Sequence, residues 1–334
     1  MDESAARSIL AIDLGGTQIR AAHVSPDLRV TCRRAVATND EEGVESVIER
    51  VQTLARTVLQ DAQRGGHEPP AGIGISSPGP LDPWRGVVLA PPNLTGWHDV
   101  PLAAAVASVL ELPAFLERDT NVAMMAEWRY GAARDARDAV YVTVSTGIGG
   151  GIIANGRPLI GLDGSAGEVG HLTVELDGPD CGDGSPGHVE AIGSGTAIAR
   201  EGRALLAAGA APRLAALTSD PAEVTAELVG RAADAGDAAC QAVLDRAWMA
   251  LGAMCAGLVN VLNPEVIVLG GSIALHRPEL KDAVRREIDR RAFPLPARRV
   301  RVELAHHGDD VSLIGLLPIV NDRLQDPAYA KEHS

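Results

Sequence analysis

The chain has 334 residues and a net charge of -14, with two lysines, Lys281 and Lys331, among its 30 basic residues. That length exceeds what one hydrophobic core usually organises and predicts two domains. The acidic balance excludes a general binder of phosphate backbones, which needs a basic face, and favours a small solute as the partner.

The four cysteines, Cys32, Cys181, Cys240 and Cys255, lack the spacing of a secreted disulfide framework. The start, Met1-Asp-Glu-Ser-Ala-Ala-Arg7, has neither the cationic region nor the cleavage site of an export signal. A cytoplasmic protein is expected.

In chain order, apolar or alternating runs predict strands over 8–12, 19–24 and 29–37, separated by Gly-Gly and Ser-Pro-Asp turn signals. Over 42–62, Val44, Val47, Ile48, Val51, Leu54, Ala55, Val58 and Leu59 recur at helical spacing. Strands follow at 71–76 and 113–117, the second ending where a helix begins at Asp119. The second half repeats the opening, with strands over 139–144 and 151–153 joined by Ser145-Thr-Gly-Ile-Gly-Gly150. A short alternating strand after His171 runs into a turn. Helices are predicted over 193–208, 221–230 and 237–263, a strand over 266–269, a helix over 278–291, a strand over 300–304 and a last helix over 311–323. The most apolar stretch, 247–262, is closed by Asn263-Pro264 and falls short of the roughly 20 residues that span a bilayer, so it reads as a core helix. No low-complexity linker intervenes. Two α/β domains that share a cleft are expected, one over 1–117 plus 311–334 and the other over 118–310.

Three glycine-bearing strand ends carry the chemistry. Asp13 stands before Gly15, Gly16 and Thr17, whose backbone N–H groups and hydroxyl suit phosphate oxygens with Mg²⁺ beside the carboxylate. An ordinary hairpin turn with glycine at positive φ reads equally well. Ser145-Thr146-Gly147-Ile148-Gly149-Gly150-Gly151 is a second such place, and so many glycines imply that something approaches the backbone closely. Leu269-Gly270-Gly271 fits either a nucleotide contact or a tight strand-to-helix turn. Asp119 is a candidate general base for phosphoryl transfer, or a helix cap, with Asn121 placed to orient the segment. From Glu168 to Glu190 the chain sets two hydroxyl-directed carboxylates around His171, Cys181, Asp183 and His188, four donors spaced to converge on one ion.

Taken in order, Asp13-x-Gly-Gly-Thr17, Ser76-Ser-Pro-Gly-Pro80, Pro92-Asn-Leu-Thr-Gly-Trp97, Asp119-Thr-Asn121, Thr146-Gly-Ile-Gly149, Glu168-Val-Gly-His171, the Cys181 to Glu190 loop and Leu269-Gly-Gly271 resemble the ROK family of sugar kinases and repressors over nearly the whole chain. The resemblance implies the actin-like ATPase fold, two RNase-H-like α/β domains around a central cleft with ATP and Mg²⁺ deep inside it and a sugar at its base. It implies that Asp119 deprotonates a hydroxyl, O6, of a hexose or N-acetylhexosamine for attack on the ATP γ-phosphorus. Gly79, Asn93, Arg118, Asp119, Glu168, His171 and Glu190 are then the sugar-binding positions. Asp13, Gly15, Gly16, Thr17, Thr146, Gly147, Gly149, Gly270 and Gly271 are the ATP and Mg²⁺ positions, and a homodimer is the expected assembly.

Two departures stand out. The family's kinases have Asn, which touches the sugar, where this chain has Arg118; the cation either turns out of the pocket or makes a different contact. The family's metal loop has His, then Cys-x-Cys, then Cys, whereas the corresponding positions here are His171, Cys181, Asp183 and His188. Asp and His both ligate Zn²⁺, so a structural Zn²⁺ remains compatible with the donors. The alternative function is a ROK-type sugar-binding regulator or sensor without kinase activity. Twelve residues precede Asp13, too few for a helix-turn-helix domain, so neither nucleic-acid nor membrane binding is expected.

Overall fold

A computed structural model describes residues 6–326. Most of the amino-terminal stretch read for an export signal, 1–5, and Lys331 lie outside the described residues. The chain forms two compact units. Within the described residues, the first comprises 6–135, Pro158–Ala166 and 307–326, and the second 136–157 and 167–306. The helix opening at Asp119 and the segment Pro158–Ala166 therefore group with the first unit, where the sequence division set them with the second.

The first unit is built on a sheet of β1 (Ile9–Leu14), β2 (Gln18–Val24), β3 (Val30–Ala37), β4 (Ile73–Ser77) and, beyond a two-stranded hairpin of β5 (Leu81–Asp82) and β6 (Val87–Val88), β7 (Ala114–Arg118). Its order is β3-β2-β1-β4-β7, with β1, β2 and β3 antiparallel and β1, β4 and β7 parallel. The second unit's sheet has β8 (Ala139–Val144), β9 (Ile148–Ala154), β10 (Arg157–Pro158, whose second residue already groups with the first unit), β11 (Val266–Gly270) and β12 (Arg301–Leu304) in the order β10-β9-β8-β11-β12. Here β8 and β9 are antiparallel, and β8, β11 and β12 are parallel. The same order twice is the duplicated arrangement expected for the actin-like ATPase fold.

Helices cover these sheets by the spacing read above. Val44–Arg64 buries Val47, Val51, Leu54, Ala55, Val58 and Ala62 as one stripe. It starts later than expected because Asp40–Glu42 forms a 3₁₀ turn and Gly43, at φ 91°, breaks the helical path. The helix placed at 221–230 lies instead at Ala226–Asp234, where the Thr225 hydroxyl accepts from Leu228 N; Pro221 opens only a 3₁₀ turn capped by Asp220. Leu102–Leu110, unanticipated, buries Leu102, Ala103 and Val106.

Ala238–Leu262 runs from the Asp237 cap to Asn263, which takes the left-handed conformation before Pro264. At 25 residues it is long and apolar enough to cross a membrane, so the length criterion does not settle its place. Its packing does: Cys240, Leu244, Trp248, Leu251, Cys255 and Val259 lie in the core of the second unit. The alternating strand expected after His171 is absent. Only the isolated bridges Thr173 with His188 and Asp180 with Pro186 form, and the backbone N–H groups of Val174 and Glu175 both turn to the Gly187 carbonyl instead of a partner strand.

The expected last helix is two, Val311–Ile314 and Leu316–Leu324, joined at Gly315. A Cβ at Gly315 would stand 1.9 Å from the Val122 carbonyl oxygen, a backbone atom that cannot give way cheaply. Gly315→Ala is expected to destabilise the protein by about 1–3 kcal/mol or more. Gly257→Ala, at an exposed helical glycine whose Cβ meets nothing within 4 Å, should stabilise it by about 0.5–1 kcal/mol. Urea midpoints of the two variants that moved in the same direction would contradict this packing.

Candidate active site

The parallel strands of the first unit end side by side. Register pairs Asp13 of β1 with Ser76 of β4, and Ser76 with Glu117 of β7, so Asp13, Ser76 and Glu117 form one row at the carboxyl edge of the sheet. In open α/β sheets this edge is where ligands bind. Asp13 faces its hairpin partner Arg20, whose Nη2 and Nε reach the same oxygen, Oδ2, at 2.6 and 3.0 Å. Arg20 also donates to the Asp309 carbonyl at 2.8 Å and to Ser312 Oγ at 2.9 Å, which ties the Asp13 hairpin to the 307–326 segment.

Between Asp13 and Arg20, Gly15 and Gly16 do not take positive φ. Positive φ is thereby excluded as the reason for the glycine pair in this turn, and at Gly16 the reason is close approach. A Cβ at Gly16 would lie 2.7 Å from the carbonyl oxygen of Asn93, so the hairpin and the 91–96 turn are in backbone contact. The loop is fixed from the other side by Thr38, whose hydroxyl donates to the Gly15 carbonyl at 2.7 Å and whose N–H donates to that of Thr17 at 2.9 Å. Asp40 secures the turn bearing Asn93 by accepting from Thr95 N and Oγ1, bonds that hold its carboxyl below the usual range.

At the end of β7 the sequence Glu117-Arg118-Asp119 sends three charged side chains to three destinations. Glu117, 4% exposed, accepts from Arg118 N, from Asn121 Nδ2 and from Arg323 Nη2 at 3.0, 3.0 and 3.2 Å. Asn121 thus orients the segment as anticipated. Arg118, also 4% exposed, lays its stem on Gly79, where a Cβ would be 3.1 Å from Cδ, and donates from Nη2 to the Ala166 carbonyl. It is buried, so it does not turn out to solvent. Asp119 is exposed at the first residue of the helix Asp119–Tyr130, and its Oδ1 accepts from Thr120 N at 2.7 Å. The cap position belongs to Arg118, whose side chain makes no cap bond.

In the second unit one hairpin gathers most of the predicted residues. Ile148 N–H donates to Glu190 Oε2 at 2.7 Å, and a Cβ at Gly147 would stand 2.6 Å from that oxygen. At Gly150 it would meet Val169 Cγ2 at 2.9 Å. What approaches this glycine-rich backbone is therefore, in part, the protein's own Glu190 and Val169. Thr146 accepts from Thr196 N and Oγ1 at the start of the helix Gly195–Ala207. The strand end at Gly270-Gly271 packs on the same hairpin. A Cβ at Gly270 would strike Tyr141 Oη at 2.1 Å, and Gly271, at φ +85°, lies close to the Val144 carbonyl. Ser272 Oγ is 2.9 Å from Ser145 Oγ.

Beside Glu190 lies the ligand cluster. The candidate ligand atoms of His171, Cys181 and His188 lie within 4.8 Å of one another. Asp183 Oδ2 is 3.9 Å from His171 Nε2 and 3.7 Å from His188 Nδ1, near the separation of about 3.3–3.7 Å that a tetrahedral Zn²⁺ sets between ligands. His188 Nδ1 is buried without a hydrogen-bond partner, a state that a metal ligand resolves. Burial holds the Cys181 thiol above its ordinary pKa, and the Ser185 N–H holds the Asp183 carboxyl below its own. Two imidazoles and a thiol converge, with the Asp183 carboxylate close to the imidazoles but outside that group, and these donor types suit Zn²⁺. Cys181 Sγ also lies 3.9 Å from Glu190 Oε1, and Glu168 Oε2 lies 3.6 Å from His171 Nδ1.

Sequence reasoning missed Arg20, Asp40, Glu117 with Arg323, and the Ser145–Ser272 pair. Arg20 was accessible, because a hairpin turning about Gly16-Thr17 places residues 13 and 20 opposite each other. The others join positions with no fixed spacing.

The ROK family model matches residues 9–323. The chain is 33% identical over 316 residues to a glucokinase of Thermotoga maritima, covering 95% of this chain and 98% of that one. It is 32% identical over 308 residues to an N-acetylmannosamine kinase of Citrobacter koseri, covering 92% and 97%. A ROK family glucokinase from Streptomyces griseus, solved in complex with glucose and AMPPNP, superposes with a TM-score of 0.80 at 28% identity over 93% of this chain and 98% of that chain. With the family model spanning both units and relatives matched almost end to end, this chain belongs to the ROK family.

Proposed function

We propose that the protein is an ATP-dependent sugar kinase that transfers the γ-phosphate to O6 of a hexose or N-acetylhexosamine. The observation that carries the reading is the row at the carboxyl edge of the first sheet, where Glu117 is in line with Asp13 and an exposed Asp119 lies two residues beyond it. Relatives named glucokinase and N-acetylmannosamine kinase support the sugar class. Asp119 accepts the proton of the attacking hydroxyl, which raises the charge on that oxygen as it approaches phosphorus. Asp13 faces Mg²⁺ or its water shell. Gly15, Gly16 and Thr17, and likewise Thr146, Gly147 and Gly149, are the positions assigned to the phosphates, with the Gly15 N–H itself committed to the Gln18 carbonyl, and Gly270 and Gly271 are those assigned to the adenosine. Gly79, Asn93, Glu168, His171 and Glu190 read the sugar hydroxyls; a wrong epimer leaves one of these polar groups unpaired, at about 1–3 kcal/mol.

The donor set of His171, Cys181, Asp183 and His188 is proposed to hold a structural Zn²⁺, which would cross-link the loop that carries Glu168 and Glu190. The orphaned His188 Nδ1 supports this assignment. These residues brace the sugar-reading carboxylates and take no part in the transfer.

Coupled assays over glucose, mannose, fructose, N-acetylglucosamine and N-acetylmannosamine should show turnover of at least one sugar. Asp119→Asn should then lower kcat by about 10²–10⁴-fold, the usual contribution of a general base, with sugar affinity nearly kept. Binding without turnover of any of the five would make the chain a sensor. Metal analysis of the purified protein should find one Zn²⁺ per chain, lost in Cys181→Ala together with several degrees of Tm. Zinc-free protein of unchanged Tm would refute the metal assignment.

A further inference from the structure

A buried guanidinium is costly unless hydrogen bonds replace the water it leaves, so the partners of Arg118 indicate what the residue is for. Arg118 is 4% exposed and connects three stretches of the first unit. Its backbone N–H is held by Glu117, its stem lies on Gly79, and its Nη2 donates to the carbonyl of Ala166. Ala166 is the last residue of Pro158–Ala166, a segment grouped with the first unit although the chain before and after it belongs to the second. The segment has little regular structure. Ala166 N closes it on the Ile160 carbonyl, Gly164 at φ +85° sits close to the Leu81 carbonyl and Pro83, and Leu162 is 99% exposed. The Arg118 donor on its terminal carbonyl ties the segment to the end of β7. Gly167, at φ +92°, and then Glu168 follow directly.

We infer that Arg118 is a positioning residue that latches the end of the 158–166 segment to the strand end carrying Asp119, and so fixes the point from which the chain continues into Gly167 and Glu168. The inference rests on the proposed reading of Glu168 as a residue that binds the sugar. It assigns the departure at position 118 a specificity role exercised through Ala166.

Arg118→Met keeps the stem on Gly79 and removes the donors. Hydrogen-exchange mass spectrometry of the full-length variant without ligand should show faster exchange over 158–168, with 8–24 unchanged. With the sugar that the wild type phosphorylates, KM for sugar should rise at least tenfold while KM for ATP changes less than twofold, and Arg118→Lys, which retains a donor, should recover part of the loss. Unchanged exchange over 158–168, an unchanged sugar KM, or equal rises in both KM values would overturn the latch. If the wild type phosphorylates no sugar, the kinase reading fails and the exchange result still decides whether Arg118 holds the segment; should Arg118→Met not fold, Arg118→Lys against wild type gives the same readouts in milder form.

Discussion

A buried carboxylate with three committed donors fixes the corner on which the proposed chemistry depends. Glu117 is bonded by the backbone of Arg118, by the Asn121 amide in the first turn of the next helix and by Arg323 from the helix Leu316–Leu324. Leaving any of these lone pairs buried and unmet would cost about 1–3 kcal/mol, so the strand end, the helix start and a helix 206 positions further on are held in one arrangement. Side chains alternate across a strand, so Arg118 is directed elsewhere and packs on Gly79 and Ala166. Asp119 follows as the exposed group, at the first residue of the helix Asp119–Tyr130.

Both units treat their glycine hairpins alike. Gly16 is glycine because the Asn93 carbonyl lies where a Cβ would be, and Gly147 because the Glu190 carboxylate does. In each unit a residue assigned to the sugar therefore touches the hairpin assigned to the phosphates. The contact in the second unit is a hydrogen bond, from Ile148 N to Glu190 Oε2, and the same carboxylate approaches Cys181 through its other oxygen. On the proposed reading, a sugar that draws on Glu190 also bears on a phosphate loop, and the ligand cluster bears on both.

Much of this was legible in the residues. The hairpin strands followed from apolar runs punctuated by glycine, and the helix Val44–Arg64 from its apolar stripe. Boundaries moved where a local cap outweighed propensity, at Gly43 and Thr225. The strand after His171 failed because alternation needs a partner, and none of sufficient length lies beside it. The motifs singled out Asp13, Asp119 and Glu190, yet the Arg20 pair, the Asp40 brace and the Ala166 target of Arg118 belong to contacts set by tertiary packing. The glycines of 145–151 were read as a site of close approach, and their immediate neighbours are partly protein.

Phosphorus NMR of the protein incubated with ATP, Mg²⁺ and a mixture of hexoses and N-acetylhexosamines tests the central claim most directly. The account predicts a sugar 6-phosphate ester that grows as ATP is converted to ADP and that is all but absent with Asp119→Asn. Consumption of ATP without a sugar ester, or the same ester formed at the same rate by Asp119→Asn, would contradict it.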